Sequence, residues 1–458
     1  MSQPKSIGIV GAGIAGLTCA YLLSPEHRVT VFEADARVGG HSNTVTFPLG
    51  DREYSIDTGF IVFNDRTYPL FRRLLSQLGL SGNPTRMSFS VRCNQSGLEY
   101  CGSNLNGLFA QRRNLLKPEF LRMVYDILRF NSVGTRDADV VSDDETVGAY
   151  LDRNGLSAQF ADHYLLPMGA AIWSCPTGRF RDFPIRFILQ FYRNHGLMQI
   201  RDRPQWFTLP GGSGTYVERL IRPFRDRIQT NSPVRCVRRY EDRVEVTGPA
   251  GVQQFDEIIF ACHSDQALGM LADASAEEQE MLRAFPYEAN DVVLHWDDSV
   301  MPTRKRAWAA WNYRLSAETR IRPTVSYWMN LLQHVESQYS FFVTLNDGSV
   351  RQDRIISSHR YHHPVFTLER ARMQSRHHQF IRSHRTSFCG AWWGNGFHED
   401  GVASAVRVCD RFGKHALQSP LPESPAPAIR LASSRDAEEA RIVGTRITET
   451  PAGRPLVE

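Results

Sequence analysis

Ser6-Ile-Gly-Ile-Val-Gly11-Ala-Gly13-Ile-Ala-Gly16-Leu17, read on through Leu23 to Val29-Thr-Val-Phe-Glu33, decides the fold. Ser6 to Val10 reads as a short buried strand, a glycine turn follows at once, and a helical pattern runs from Leu17 to Leu23. Val29 to Glu33 is the next strand, so the stretch forms a βαβ unit that ends on an acidic side chain. The glycines have separate tasks. Gly11 permits the tight turn, Gly13 lets the backbone approach a pyrophosphate, and Gly16 lets the helix pack close on the strand. Phosphate charge then lies against the helix N-terminus, where unpaired N–H groups and the dipole favour it. Glu33, twenty residues after Gly13, is where a carboxylate accepts both hydroxyls of an adenosine ribose. The unit predicts a bound dinucleotide without separating NAD from FAD.

The residues that follow separate them. Arg37-Val-Gly-Gly40-His-Ser-Asn-Thr44 resembles, in its spacing from Glu33, the E-x3-R-x-G-G-R signature of the FAD-dependent amine oxidase and desaturase superfamily. The resemblance implies FAD as cofactor, with Arg37 and Gly40 near its pyrophosphate and ribityl parts and Ala15, Ala34 and Ser42 alongside. His41 stands where the family's last arginine is usual; it either faces the flavin or is a neutral histidine bonded to backbone. Asp57-Thr58-Gly59 resembles the family's D-x-G turn, which puts Thr58, Gly59 and Phe60 by the isoalloxazine. Leu209-Pro-Gly-Gly-Ser-Gly214 resembles its P-x-G-G segment, and in Ser232-Pro-Val234 the resemblance brings the Val234 backbone to adenine. Cys389 to Ala405 looks like the closing flavin motif. There Trp392 is expected at the ligand, Asp400 holds the ribityl or pyrophosphate, and a helix from Gly401 and Val402 aims its N-terminus at the flavin. Such a terminus stabilises the charge of a reduced flavin by roughly 0.3–2 kcal/mol.

The expected fold is α/β: a two-domain FAD-dependent oxidoreductase with a Rossmann-type dinucleotide domain and a sheet-plus-helix substrate domain. The first would be assembled from 1–70, 205–285 and 386–418, the second from 71–204 and 286–385, with 419–458 a flexible C-terminal tail rich in proline at its start. Helices are expected over Thr67–Leu78, Thr215–Phe224 and Gly401–His415. Leu115, Leu116, Phe120, Leu121, Val124 and Leu128 fall at helical spacing.

Asp57 to Tyr68, Ala307 to Tyr313 and Ser326 to Gln333 resemble a narrower branch, flavoproteins encoded beside cyclopropane fatty-acyl synthases. That implies a fatty-acyl or phospholipid substrate, desaturated or otherwise oxidised after methylation or cyclopropanation, and a cyclopropane-synthase-like methyltransferase as partner. Rival readings are an amine oxidase releasing aldehyde and peroxide, a non-catalytic partner of the methyltransferase, and an acyl isomerase. Many amine oxidases place a lysine beside the flavin; here only Lys305 lies in a region where it could fall, and its neighbours suggest a solvated basic loop. For a general base, position nominates His398, Glu399 and His295, although a strand histidine such as His295 is more often a satisfied core residue.

Composition bounds the rest. The chain has 458 residues, room for more than one domain of ~150 residues, and is 42% hydrophobic and 22% charged, an ordinary globular balance. Its eight cysteines form no C-x-x-C pair, so free thiols are expected, with no metal site. The net charge of +4 and the lack of aromatic-basic alternation argue against nucleic acid. No membrane-spanning run or signal peptide is visible, so a cytoplasmic protein is expected. Two basic stretches, 351–385 and Gln111–Arg122, suggest peripheral contact with the inner face of a membrane.

Overall fold

The computed structural model describes residues 3–316, 322–414 and 417; the tail expected over 419–458 lies outside the described residues. Strand β1 (Ser6–Val10) runs into helix α1 (Ile14–Leu23) and strand β2 (Arg28–Phe32). Nine of the ten residues of α1 are buried, because the helix is covered by the sheet on one side and by the helix His398–Asp410 on the other. β1 lies at the centre of a five-stranded parallel sheet, ordered Ile228–Gln229, β2, β1, Glu257–Phe260, Thr386–Phe388. Chain segments more than 370 residues apart thus share one nucleotide-type sheet, and all its strands are parallel, as a crossover fold requires.

A second sheet has seven strands in the order Ile355–Pro364, Tyr287–His295, Phe342–Leu345, Thr324–Trp328, Trp311–Leu315, Phe89–Cys93, Glu99–Cys101. Only the pairing of Trp311–Leu315 with Phe89–Cys93 is parallel. Val91, Val292, Leu294, Tyr313 and Val325 on this sheet share one core with helical residues such as Phe130, Tyr150, Leu165 and Ile188. All eight cysteines are free thiols.

Boundaries moved where side chains decide them. The helix expected from Thr67 runs Pro69–Gln77, because Asn64 Oδ1 accepts the N–H groups of Arg66 and Thr67 and holds both in a turn. The closing helix starts at His398, three residues before Gly401. Gln111–Leu128 is not one helix: a 3-10 turn over Arg112–Leu116 precedes the helix Pro118–Asp137. That helix buries Phe120, Met123, Asp126 and Phe130, and leaves Leu121 and Leu128 outside. Of the residues at helical spacing, Phe120 is buried, Val124 is half-buried and the leucines are exposed.

The basic stretch 351–385 is mostly spoken for within the chain. Arg351, Arg354, Arg360 and Arg382 pair with Asp353, Asp297, Asp291 and Glu257. Arg370 is fully buried: its guanidinium lies 3.5 Å from the Phe366 ring centroid and donates to the carbonyls of Val365, Trp392 and Gly394. Burial lowers its pKa to about 9. Arg370→Ala leaves buried carbonyls without donors and is expected to lower unfolding free energy by about 2–4 kcal/mol, read by chemical denaturation. A change below about 0.5 kcal/mol, the size of an ordinary surface substitution, would mean the arginine does not hold this loop.

Candidate functional site

Three loops meet above the C-terminal ends of β1 and β2. The Gly39 N–H donates to the Ala12 carbonyl at 2.8 Å, and the Phe60 N–H donates to the His41 carbonyl at 2.7 Å. The contacts are so close that side chains are excluded. A Cβ on Gly16 would stand 1.9 Å from the Gly11 carbonyl oxygen, and one on Gly59 would stand 2.2 Å from that of His41. Gly13 differs, since a Cβ there would meet nothing within 4 Å and would project into open cavity. A backbone bared at the mouth of a helix is the surface a pyrophosphate needs.

The cavity above these loops has a volume of about 1150 Å³, beyond the ~300–1,000 Å³ of ordinary ligand pockets. Gly11, Gly13, Ala15, Glu33, Ala34 and Val234 line its nucleotide end. Glu33 accepts the N–H groups of Ala12 and Asp35 at 2.8 and 3.0 Å, which fixes the carboxylate and leaves lone pairs for two hydroxyls. Gly40, His41, Thr58, Gly59, Phe60, Trp392 and His398 line the middle. These residues fit FAD: an open backbone cradle, a fixed acidic side chain one strand away, and ring-bearing walls beyond.

Other expected contacts stand behind the wall. The Arg37 guanidinium donates to the carbonyls of Val38, Ser42 and Gly40, so it ties the glycine turn together from outside. Ser42 Oγ bonds Tyr216 and lies 2.9 Å from His398 Nε2. Asp400 folds back on its own loop, accepting the Phe397 N–H at 2.9 Å, with an oxygen 2.1 Å from where a Gly394 Cβ would be. Burial raises its pKa to about 6. Gly401 is a packing position, since a Cβ would come within 2.8 Å of the Ile14 side chain, and Val402 is core beside it. Gly16, as shown, is also a packing glycine.

The nominated bases part company. His295 is off the cavity and satisfied on both ring nitrogens: Nε2 lies 2.7 Å from Thr344 Oγ1, and Nδ1 accepts the Asp297 N–H. Glu399 caps another helix, accepting the N–H groups of Leu70 and Phe71 at 2.9 Å each, while burial raises its pKa to about 7. His398 does reach the cavity, stacked on Phe60 at 3.6 Å between centroids. Its Nε2 is shared by the Ser42 and Tyr216 hydroxyls, and burial holds its pKa well below 6.5. His41 is on the wall, and among the described residues its ring makes no hydrogen bond to backbone; the ring lies 4.8 Å from Tyr361 and 5.5 Å from His363. Loss of hydration lowers the pKa of His41 to about 4 and that of His363 to about 3.

Beyond the ring-bearing middle the cavity continues as an apolar arm, lined among others by Met87, Phe89, Met168, Ile172, Trp206 and Leu345. His195 lines this arm and was not singled out by sequence. It follows the helix Ile185–Asn194, and its Nδ1 lies 2.9 Å from the Phe191 carbonyl oxygen. A carbonyl only accepts, so Nδ1 carries the proton and Nε2 keeps its lone pair. Burial lowers the pKa of His195 to about 4, so the ring is neutral at physiological pH. No sequence motif marks it; a histidine just past an amphipathic helix was the only available sign.

Comparison with known proteins agrees with this geometry. The family model described as flavin containing amine oxidoreductase matches residues 14–341. An L-amino-acid oxidase of Bungarus fasciatus is 57% identical over 44 residues, which is 9% of this chain and only 8% of that protein. Among solved structures, a CLA-producing fatty acid isomerase from P. acnes superposes with a TM-score of 0.65 at 16% identity, covering 90% of this chain and 99% of that one. A cyclohexylamine oxidase from Brevibacterium oxydans IH-35A gives 0.64 at 15% identity, covering 90% and 100%. These two likenesses are of fold.

The two kinds of glycine predict opposite outcomes. Gly13→Val is expected to fold with near-normal stability and lose FAD affinity by about 100-fold, because its side chain enters the cradle. Gly16→Val is expected to fail to accumulate as folded protein, because its side chain meets backbone. Circular dichroism with flavin titration separates the two; equal behaviour of the variants would contradict the assignment.

Proposed function

The chain belongs to the flavin-containing amine oxidoreductase family, and from that premise we propose that it is an FAD-dependent oxidoreductase acting on the acyl chain of a lipid. The observation that carries the substrate reading is the lining of the arm. Among the described residues that line the cavity, the acidic side chains are Glu33 and Asp35, both at the nucleotide end. An alkylammonium in the arm would meet no carboxylate among these residues, whereas a hydrocarbon chain would meet methionine, isoleucine, leucine and aromatic side chains, with Arg203 and Gln205 also on the cavity wall. None of the four lysines lines the cavity, and Lys305 lies over the Trp308 ring instead. The lysine that the resemblance associates with fast oxygen use is therefore missing, which favours another electron acceptor.

Bound FAD would supply the two-electron acceptor for hydride removal from the chain. The protein's share is to hold the acyl chain straight, exclude water and take the second hydrogen as a proton. His195 is suited to that: a neutral imidazole on the arm, its Nδ1–H anchored on Phe191 and its Nε2 lone pair unspent. The resemblance to the cyclopropane-associated branch extends the reading to methylated or cyclopropanated acyl chains, delivered by a methyltransferase of that kind. The fatty acid isomerase neighbour supports an acyl chain, without net oxidation in its own case.

An amine substrate is the second reading, favoured by the short L-amino-acid oxidase match and by the aromatic walls, which would accept a neutral amine. The test presents phospholipids with monounsaturated, methylated and cyclopropane chains, with an artificial acceptor, beside a panel of amines. Loss of two hydrogens from an acyl chain is the expected result, and an isobaric product would keep the substrate and change the reaction to isomerisation. Peroxide and aldehyde from an amine, with every lipid untouched, would overturn the acyl reading. His195→Ala is expected to lower turnover by about 10²–10⁴-fold. Because a base must be unprotonated, wild-type activity should hold from pH 8 down to about 5 and fall only as pH drops through the His195 pKa of about 4.

A further inference from the structure

The cavity wall includes exposed residues, Arg203 and Gln205 among them and also Gly102 and Ser103. The chain continues directly into an unusual surface. Among the described residues, Leu105, Leu115, Leu116, Leu121, Tyr125 and Leu128 all stand exposed, Leu105 at 73% and Leu116 at 87%. On the helix Pro118–Asp137 the exposed Leu121, Tyr125 and Leu128 recur one and two turns apart, so they share a face opposite Phe120, Met123 and Phe130. Cations are interleaved with them: Arg112, Arg113, Lys117, Arg122 and Arg129. Arg122 lies 5.7 Å from the Tyr125 ring centroid. Of the two acids in the stretch, Asp126 is buried and paired with Arg122, which leaves Glu119 outside. Arg113, Lys117 and Arg129 make no ion pair among the described residues.

We propose that the face from Leu105 to Arg129 docks on the anionic surface of a lipid bilayer and turns the cavity mouth at Gly102–Ser103 toward the acyl chains of that leaflet. Leucines reach the acyl boundary while arginines meet phosphate, the division of labour of an interfacial helix. A second copy of the chain is the poorer occupant, since a two-fold contact would set five cations against the same five. The delivery half of the proposal rests on the acyl-chain reading; the docking half does not.

The experiment is sedimentation of the full flavin-loaded chain with vesicles of phosphatidylcholine alone or mixed equally with phosphatidylglycerol. Binding to the anionic vesicles, weakened by salt, is expected, with phosphatidylcholine bound far less well. Arg112→Gln and Arg113→Gln should each weaken binding about fivefold. A variant with Leu116→Gln, Leu121→Gln and Leu128→Gln should keep its flavin and its activity on detergent-dispersed substrate and lose vesicle binding by about 100-fold. Equal sedimentation of wild type and this triple variant would overturn the proposal, as would a wild-type dimer that the same three changes dissociate. Vesicle binding without any change in acyl chains would uphold docking and remove the acyl reading.

Discussion

Backbone must touch backbone where residues 11–16, 39–42 and 57–60 converge, and everything else in the molecule is arranged around that requirement. Gly16 and Gly59 each leave less than 2.3 Å between a would-be Cβ and a carbonyl oxygen, so the loops lock without side chains. Arg37 fastens the middle loop from behind through three carbonyls, and Asp57 fastens the third. The Asp57 carboxylate accepts from Thr44 Oγ1 at 2.6 Å, from the Ser213 N–H at 2.8 Å and from Gln333 Nε2 at 3.1 Å. Residues from five separate parts of the sequence therefore hold one strip of bare backbone open to a dinucleotide.

The charge pattern of the cavity follows from the same enclosure. Among the described residues that line it, the acidic groups are at the ribose end, while the middle carries imidazoles that burial keeps neutral. Neutral rings of this kind pack on flat ligands and do not repel a hydrocarbon tail. The proposed mouth at Gly102–Ser103 adjoins, along the chain, a surface that is itself apolar and cationic.

The nucleotide half was legible because its constraints are local. A glycine turn between two short strands, closed by Glu33, has few alternative meanings, and the observed β1, α1 and β2 match that reading closely. Facing was not legible. Of the residues at helical spacing over 115–128, only Phe120 joins the core, beside Met123 and Phe130, while the leucines stay outside. His295 lies on the expected strand, but its ring meets Thr344 rather than the cavity, and alternation alone does not tell a sheet's two faces apart. Asp400 and Glu399 lie in the expected segment, but their carboxylates accept the backbone N–H groups of Phe397 and of Leu70 and Phe71, since a carboxylate in a helix's first turn serves backbone as readily as ligand. His195 carries no motif, and only the packing of the helix before it brings it to the arm.

The central claim is that this strip of backbone holds a flavin, and the most direct measurement is the visible spectrum of the purified chain, followed by denaturation and quantification of what is released. One FAD per chain, with the blue-light absorbance of an oxidised flavin before release, is the predicted result. A colourless protein that takes up no FAD on incubation, although folded, would contradict the account at its root.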